Sequence, residues 1–343
     1  MRRSVLVVVS LLVLFSMIAA QCGAPAAAPA PKEEAAPAGK ASEYKFAAIF
    51  PGVITDADYN TLAFVGISAL ENELGMDTAY SESVAVPDVD RVMREYIDGG
   101  YNIIWTHGSQ FVSQTVELAK QFPDVVFIAE GDAPQADPPV NLWLIDRNFQ
   151  VGFYAIGALA GLSTKTGKIG YIGGLTLPFS YSEVHAMQQA IDDLGLDVEL
   201  NPVWAGDFND PTKARQVTDA MLSENADFIV GSLNLGMFGL FEAVKAGPPN
   251  VLVTAKYTDK TAYAPDQYVT SVLYDFEKPL VDIVSRVMNG EKGGYYPLGF
   301  DTGVALQMPL QHVDQEVADK MAKIIEDVKS GKIEVKKDST PIE

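Results

Sequence analysis

Aromatic rings, carboxylates and carboxamides recur in the loops that follow the predicted strands of this 343-residue chain. Rings that stack on a flat ligand, beside Asp and Asn side chains that read its edges, suit an aromatic solute with polar edges. The residues predicted to contact such a ligand are Asp56, Tyr59, Asn60, Trp105, His107, Gln110, Phe208, Asn234, Lys256 and Asp259. These residue types predict a small-molecule binding site.

Catalysis and metal binding are less well supported by the residues. Asp56 and Asp58 could serve an extracytoplasmic nucleoside or glycoside hydrolase, but two acids on one turn rarely flank one bond from opposite sides. His107, His185 and His312 are far apart in sequence, without Cys, His or Glu at metal-ligand spacing. We therefore expect no enzymatic activity, no metal and no cofactor, and the hydrolase stays an alternative.

The first residues have the composition of an export signal. Arg2 and Arg3 precede an apolar run that ends at Ala20, and this run is shorter than the roughly 20 residues that span a bilayer. Residues 1–21 are therefore predicted to be a signal peptide. Cys22 is the only cysteine and follows the run directly, which favours lipid attachment. Gln21 stands where bacterial lipoprotein signals carry a small residue, so an ordinary signal peptide with an unmodified cysteine remains open.

Residues 22–43 are rich in Ala and Pro and are predicted to form a disordered spacer that holds the domain off the membrane. The formal net charge of −20 repels nucleic acid. These features predict a monomeric, extracytoplasmic protein tethered to the cell membrane by a lipid, either on the cell surface or in a periplasm.

After the spacer, short β-rich runs alternate with segments of helical period, which favours parallel sheets covered by helices. The predicted α/β fold has two doubly wound lobes, formed by 44–147 with about 274–304 and by 148–273 with about 305–335. Five strands are predicted in the first sheet, the last at 140–144, and the first helix is predicted at 61–74. Ligands of such sheets bind beyond the carboxyl ends of the strands, so the predicted site is the cleft between the lobes.

Two local signals accompany this pattern. Asp210 precedes Pro211 and is predicted to cap the helix that begins there. Gly173 and Gly174 follow a predicted strand and are expected to serve a tight turn toward the next helix. They lack the Lys and Ser of a nucleotide-binding loop, so no phosphate site is predicted.

Three segments resemble a known family. Thr55 to Asn60 reads T-D-A-D-Y-N and resembles a D-x-S-F-N signature; Trp204 to Pro211 resembles W-x-G-x-W-x-D-P; and Val269 to Val272 resembles an L-T-S-V strand. These signatures are typical of the basic membrane protein (BMP) family of ABC-transporter substrate-binding lipoproteins, which includes purine nucleoside receptors. The resemblance runs from about Lys45 to Lys329. It implies a type I periplasmic-binding fold with a multi-strand hinge, an ABC permease as partner, and no catalysis.

The same resemblance implies roles at the site. Asp56 and Asn60 would bind base edges, and Phe208 would stack on the ring. Lys256 stands where nucleoside-binding members carry a carboxylate for ribose; Asp259 could supply it from a shifted position, or Lys256 could pair with an acid on the ligand. A purine nucleoside is favoured, while a free nucleobase, a flavin or another flat solute remains open. A sensor for a membrane signalling partner is an alternative role.

Overall fold

The computed structural model describes residues 41–342 of the chain. The predicted signal peptide, Cys22 and nearly all of the predicted spacer lie outside the described residues. Within 41–342, twelve strands form two six-stranded sheets, and α-helices connect most of the successive strands. This arrangement confirms the predicted α/β fold with two lobes. In this range the structure has no helix that is both long enough and apolar enough to cross a bilayer.

The first lobe contains a wholly parallel sheet in the order β11-β5-β4-β3-β1-β2. Its elements are β1 (Lys45–Ile49), α1 (Tyr59–Leu74), β2 (Asp77–Ser81), α2 (Val89–Asp98), β3 (Ile103–Thr106), α3 (Val112–Gln121), β4 (Val126–Gly131) and β5 (Leu142–Asp146), with α8 (Glu277–Met288) and β11 (Gly294–Pro297) from later in the chain. The prediction of five strands missed β11. It also ended β5 two residues too early.

The second lobe has the sheet order β12-β10-β9-β8-β6-β7, parallel except for β12, which runs antiparallel to β10. Its elements are α4 (Phe149–Ser163), β6 (Lys168–Gly173), α5 (Pro178–Asp193), β7 (Glu199–Trp204), α6 (Pro211–Ser223), β8 (Phe228–Ser232), α7 (Met237–Ala246), β9 (Leu252–Tyr257), β10 (Tyr268–Tyr274), β12 (Val304–Leu306) and α9 (Gln315–Lys329). As predicted, Asp210 caps α6, where its Oδ1 accepts from Thr212 N at 2.9 Å and from Lys213 N at 3.1 Å.

Both faces of the inner strands β1, β3, β4 and β5 are buried, which explains why these strands are mainly apolar runs and do not alternate. Ala47 and Ile49 of β1 pack with the core formed under α2 and α3, whereas Phe46 and Ala48 pack on the opposite face. The alternate side chains of one strand thus enter two different cores. A doubly wound lobe is the consequence.

The chain crosses between the lobes three times, from β5 to α4, from β10 to α8 and from β11 to β12. Helix α8 belongs to the first lobe because it packs on α1; a Cβ at Gly66 of α1 would lie 2.6 Å from Leu280 Cδ1 of α8. The third crossing connects the short strand β11 of the first sheet to the short strand β12 of the second sheet. These crossings form the multi-strand hinge of the predicted fold.

Helix α1 begins at Tyr59, so the predicted start at Thr61 is wrong by two residues. The cause is Asp56, whose carboxylate accepts from the backbone N–H groups of Asn60 at 3.1 Å and Thr61 at 3.0 Å. These donors would otherwise be unsatisfied at a helix start. The helix ends at Gly75, which adopts a left-handed φ of 65° as predicted for a glycine stop. The early start brings Tyr59 and Asn60 into the first turn.

Candidate functional site

The carboxyl ends of the two sheets meet where the loop before α1 contacts the loop after β9. Asp58 of the first lobe forms an ion pair with Lys260 of the second, and its Oδ1 also accepts from Thr258 Oγ1 at 3.1 Å. Both charged side chains are almost completely buried. Burial raises the pKa of Asp58 to about 6, although Lys260 opposes this shift. These bonds join the lobes at one end of the cleft.

In the first lobe, Tyr59, His107 and Glu130 form a buried cluster. The ring of Tyr59 stacks on that of His107 with centroids 3.7 Å apart, and its hydroxyl donates to Glu130 Oε2 at 2.6 Å. His107 Nδ1 lies 2.5 Å from Glu130 Oε1, while Nε2 lies 3.1 Å from the Tyr59 carbonyl oxygen. Since a carbonyl oxygen only accepts, Nε2 donates to it, and the contact of Nδ1 with Glu130 closes the cluster. Burial and Glu130 raise the pKa of Tyr59 well above its ordinary value, so its phenol stays a neutral donor.

Arg147 follows β5 at the first crossing and connects this cluster to the cleft. Its guanidinium donates to Asp132 Oδ1 from Nε at 3.0 Å and from one terminal nitrogen at 2.5 Å. It also donates to Ser109 Oγ at 2.8 Å and to the Tyr59 hydroxyl at 3.2 Å. Arg147 is buried, whereas the side chain of Asp132 remains 18% exposed. Only Oδ1 of Asp132 takes part in these bonds, and Asp132 directly follows β4, at the carboxyl end of the first sheet.

The second lobe presents an aromatic surface to the same region. Phe179, in the first turn of α5, stacks with Phe208 at a centroid distance of 6.1 Å, and Arg147 Cζ lies 5.0 Å from the centroid of Phe179. Phe208 is half-buried, and a Cβ at Gly174 would come within 2.2 Å of its ring. A Cβ at Gly173 would likewise lie 2.8 Å from the Trp204 ring. The two glycines therefore make room for aromatic rings, a role that the expected tight turn did not include.

Lys256 and Glu183 form a second buried ion pair, inside the second lobe, and both side chains are fully buried. Glu183 Oε2 also accepts from the Tyr171 hydroxyl at 2.6 Å. The Lys256 ammonium lies 3.5 Å from the centroid of Phe149, and further rings surround it, namely Phe153, Phe179, Tyr257 and Tyr274. Burial lowers the pKa of Lys256 to about 8, against the attraction of Glu183. Lys256 is thus paired within the protein.

Of the residues predicted at the site, Asp56, Asn60 and Trp105 are buried in the first lobe. Besides capping α1, Asp56 accepts from Asn60 Nδ2 at 2.7 Å, which leaves both of its oxygens engaged. Asn60 Oδ1 is buried and accepts no hydrogen bond from residues 41–342. Trp105 is fully buried against Phe46 and Phe50, beneath His107.

Three other predicted residues have different environments. Gln110 is exposed, and its side chain folds back over Gly108. Asp259 is also exposed and accepts a hydrogen bond from the Thr261 hydroxyl at 2.6 Å. This hydrogen bond holds the pKa of Asp259 below its ordinary value. Asn234 is half-buried, and its backbone N–H donates to the Phe208 carbonyl at 3.0 Å. The structure therefore groups Phe208 with Asn234 and Tyr59 with His107.

Several side chains of the cleft were missing from the predicted set, namely Glu130, Asp132, Arg147, Phe179, Glu183 and Lys260. Glu130 and Asp132 lie at the end of β4, and the same strand-end rule indicates them. Arg147 was missed because β5 was predicted to end at Leu144, which moved the loop after it. Lys260 lies in the loop after β9, so the strand-end rule indicates it too, whereas Glu183 lies within α5 and its partner Lys256 is 73 residues away, so it carries no local signal.

Two lobes of largely parallel sheet, joined by a hinge of three chain crossings, define the type I periplasmic-binding fold, in which a cleft lies at the strand ends. Residues 44–339 match the family described as ABC transporter substrate-binding protein PnrA-like, and the chain belongs to this family. The resemblance predicted from the sequence is therefore confirmed. The family consists of substrate-binding proteins, so a small-molecule ligand and an ABC permease are the expected partners.

Relatives and solved structures agree with this assignment. The chain is 25% identical to basic membrane protein A2 of Borrelia garinii subsp. bavariensis, over 73% of this chain and 75% of that protein. It is 23% identical to a purine-binding protein of Brucella abortus, over 75% of this chain and 72% of that protein. A solved ABC transporter solute-binding protein from Conexibacter woesei superposes with a TM-score of 0.68 at 22% identity, covering 86% of this chain and 99% of that one.

Proposed function

We propose that this protein is the extracytoplasmic receptor of an ABC importer and that its ligand is a flat neutral solute, with a purine nucleoside favoured. The observation that carries the proposal is the position of Arg147, which donates to the Asp132 carboxylate and lies 5.0 Å from the centroid of Phe179, the ring that stacks with the half-buried Phe208. The purine-binding relative from Brucella abortus supports the ligand class.

The chemistry of the two groups fits a purine. An aromatic ring of the ligand can stack on Phe208, which Phe179 backs, and this contact is worth about 1 kcal/mol beyond the area that it buries. A carboxylate accepts hydrogen bonds and cannot donate, so Asp132 would select a ring edge that bears N–H groups. Purines carry such groups on their pyrimidine edge. A ligand with only acceptors along its edge would be rejected.

The predicted site residues divide into two groups in this proposal. Phe208, Asn234, Gln110 and Asp259 lie in loops at the cleft and are proposed to contact ligand directly. The others, Asp56, Tyr59, Asn60, Trp105, His107 and Lys256, are buried and are proposed to shape the walls, with Asn60 Oδ1 offering one unused acceptor. The Lys256 ammonium is already paired with Glu183, which argues against an acidic ligand group as its partner.

Closure of the lobes would convert binding into a transport signal. A ligand that bridges the lobes stabilises the closed form by its higher affinity for that form, and the closed form would dock on a permease. The lobes proposed are 44–147 with about 274–304 and 148–273 with about 305–335, since β11 and β12 join different sheets. The Asp58–Lys260 pair would be one of the contacts made on closure.

Hydrolysis is not proposed. The carboxylate of Asp56 is engaged by the start of α1, and Asp58 is paired with Lys260, so neither acid is free to act on a substrate. The protein is proposed to be a monomer that binds no nucleic acid, in keeping with its net charge of −20. Export by residues 1–21 and a lipid on Cys22 would place it at the outer face of the cell membrane.

Isothermal titration calorimetry tests this function. The protein is first unfolded and refolded to remove retained ligand, then titrated with adenosine, guanosine, inosine, cytidine, adenine and riboflavin. We expect submicromolar binding of at least one purine nucleoside with no product formed. Asp132→Asn should abolish that binding, while Asp137→Asn, in the exposed part of the same loop, should leave it intact. Failure of every purine to bind would overturn the ligand class.

A further inference from the structure

The last residues of the chain run along the second lobe after α9 ends. Their burial alternates: Ile333, Val335 and Lys337 are half-buried, and the residues between them are exposed. Ile333 and Val335 pack against the large core that extends through the second lobe, and so does Ile342 near the end of the described residues. A chain end with no fixed position would show no such alternation. Residues 332–342 therefore follow a defined path.

Helix α5 fixes this path through polar contacts with the backbone of the segment. Gln189 Nε2 donates to the Glu334 carbonyl at 3.0 Å, and its Oε1 accepts from the Lys336 N–H at 2.9 Å. One carboxamide thus bonds two backbone groups, as a neighbouring strand would. Further along, His185 Nε2 lies 2.8 Å from the Thr340 carbonyl oxygen. The segment is therefore anchored to the second lobe at both ends.

Between these anchors, Lys337 reaches across to Asp146, the last residue of β5 in the first lobe. The two form an ion pair in which Asp146 is 1% exposed and Lys337 is 21% exposed. The Asp146 carboxylate also accepts from the Tyr295 hydroxyl of β11 at 2.6 Å and from the Asn148 N–H at 3.2 Å. Asp146 thus joins the first crossing, the strand before the third crossing and the C-terminal segment.

We propose that residues 332–342 form a strap that links the second lobe to Asp146 at the hinge and stabilises the lobe arrangement in which Asp58 contacts Lys260. Rotation of the lobes must change the backbone around the crossings, and Asp146 lies directly before one of them. Because the strap is anchored on α5 and pairs with Asp146, such rotation would stretch or break the Lys337–Asp146 pair. The strap is then a noncovalent connection between the lobes, in addition to the three chain crossings and the Asp58–Lys260 pair.

The distance between the lobes in ligand-free protein tests the strap. Spin labels are attached at Ala136→Cys in the first lobe and Thr176→Cys in the second, in the full chain carrying Cys22→Ser, and measured by double electron–electron resonance. Both label positions are exposed. Lys337→Met should shift the distance distribution to larger values, and Lys337→Arg should restore it. Gln189→Ala, which releases the segment from α5, should produce the same shift as Lys337→Met.

Lys336→Met is the matched control, because only the backbone of Lys336 contacts α5 and its side chain is exposed. Its distance distribution should equal that of the parent protein. Unchanged distributions in Lys337→Met and Gln189→Ala would overturn the proposal and leave the segment as a simple cover for the second lobe. Since no ligand is added, the result is independent of which solute the cleft binds.

Discussion

The hydroxyl of Tyr59 donates to Glu130 Oε2 at 2.6 Å, which ties the first turn of α1 to the end of β4. Glu130 in turn contacts His107, and the same hydroxyl accepts from Arg147 at 3.2 Å. All of these groups are buried. Tyr59, which the sequence predicted as a ligand contact, therefore also connects the buried polar side chains of the first lobe.

Tyr59→Phe tests this relationship. The change keeps the ring on His107 but removes the hydroxyl, so Glu130 and Arg147 each lose a hydrogen-bond partner in a buried environment. We expect the free energy of unfolding to fall by about 1–3 kcal/mol, measured by urea denaturation without ligand. Tyr80→Phe is the control, since the Tyr80 side chain is 42% exposed. Equal stability of both variants would show that the Tyr59 bond contributes nothing.

The Lys256–Glu183 pair predicts a strongly non-additive double substitution. Lys256→Met should destabilise the protein by about 3–5 kcal/mol, because it leaves the Glu183 carboxylate buried and unpaired. Adding Glu183→Gln should recover most of this loss. Lys245→Met breaks the exposed pair with Glu242 and should lower the free energy of unfolding far less than Lys256→Met does, because solvent screens exposed charges. Additive losses at Lys256 and Glu183 in thermal or urea unfolding would contradict the coupling.

Asp58 predicts a pH dependence of stability. Its pKa is raised to about 6 in the folded protein, from an ordinary value of 3.8. Between these values the folded protein binds a proton that the unfolded chain has released, so the free energy of unfolding falls as the pH rises. The free energy of unfolding of the parent protein, taken relative to that of Asp58→Asn, should fall by up to about 3 kcal/mol across this range. Above pH 6 the difference should be constant.

Urea denaturation at intervals from pH 4 to pH 7 measures this effect. Asp98→Asn is the control, because Asp98 is exposed on α2 and its substitution should leave the profile parallel to that of the parent protein. The compared quantity is the free energy of unfolding of the parent protein minus that of Asp58→Asn. If it stays constant or increases with pH, Asp58 is not held in a buried environment.

Gly174 and Phe208 predict a loss of binding that is separable from folding. Gly174→Ala places a methyl group within 2.2 Å of the Phe208 ring and should displace it, and Phe208→Ala removes the ring. Both variants should weaken binding of guanosine or adenosine at least tenfold, with little change in the Tm of the ligand-free protein. Thr176→Ala, an exposed change in the same loop, should bind normally. Normal affinity in Gly174→Ala and Phe208→Ala would remove Phe208 from the site.

Local signals account for what the sequence predicted well. The alternation of apolar strands and helices predicted two α/β lobes, because each element must bury one face against its neighbours. Asp210 was correctly predicted as a cap, since the backbone N–H groups that donate to its carboxylate lie within three residues of it. The start of α1 was placed too late because Asp56 acts from three residues before the helix.

The strand β11 could not be recognised from its residues. It is only four residues long, contains both Gly294 and Pro297, and is formed by pairing with β5, which is distant in sequence. The resulting sixth strand brings Tyr295 to Asp146. Without the pairing of β11 with β5, no feature of the sequence indicates the role of Asp146 at the hinge.

The sequence alone determined the fold class, the family and the loops that line the cleft, because periodicity, caps and strand ends are properties of neighbouring residues. Only the tertiary structure decided which of those side chains face the cleft and which are already paired. Asp58 and Lys260 are 202 residues apart, and Lys256 and Glu183 are 73 apart. A buried charge needs a partner in space, and distance along the chain places no limit on where that partner comes from.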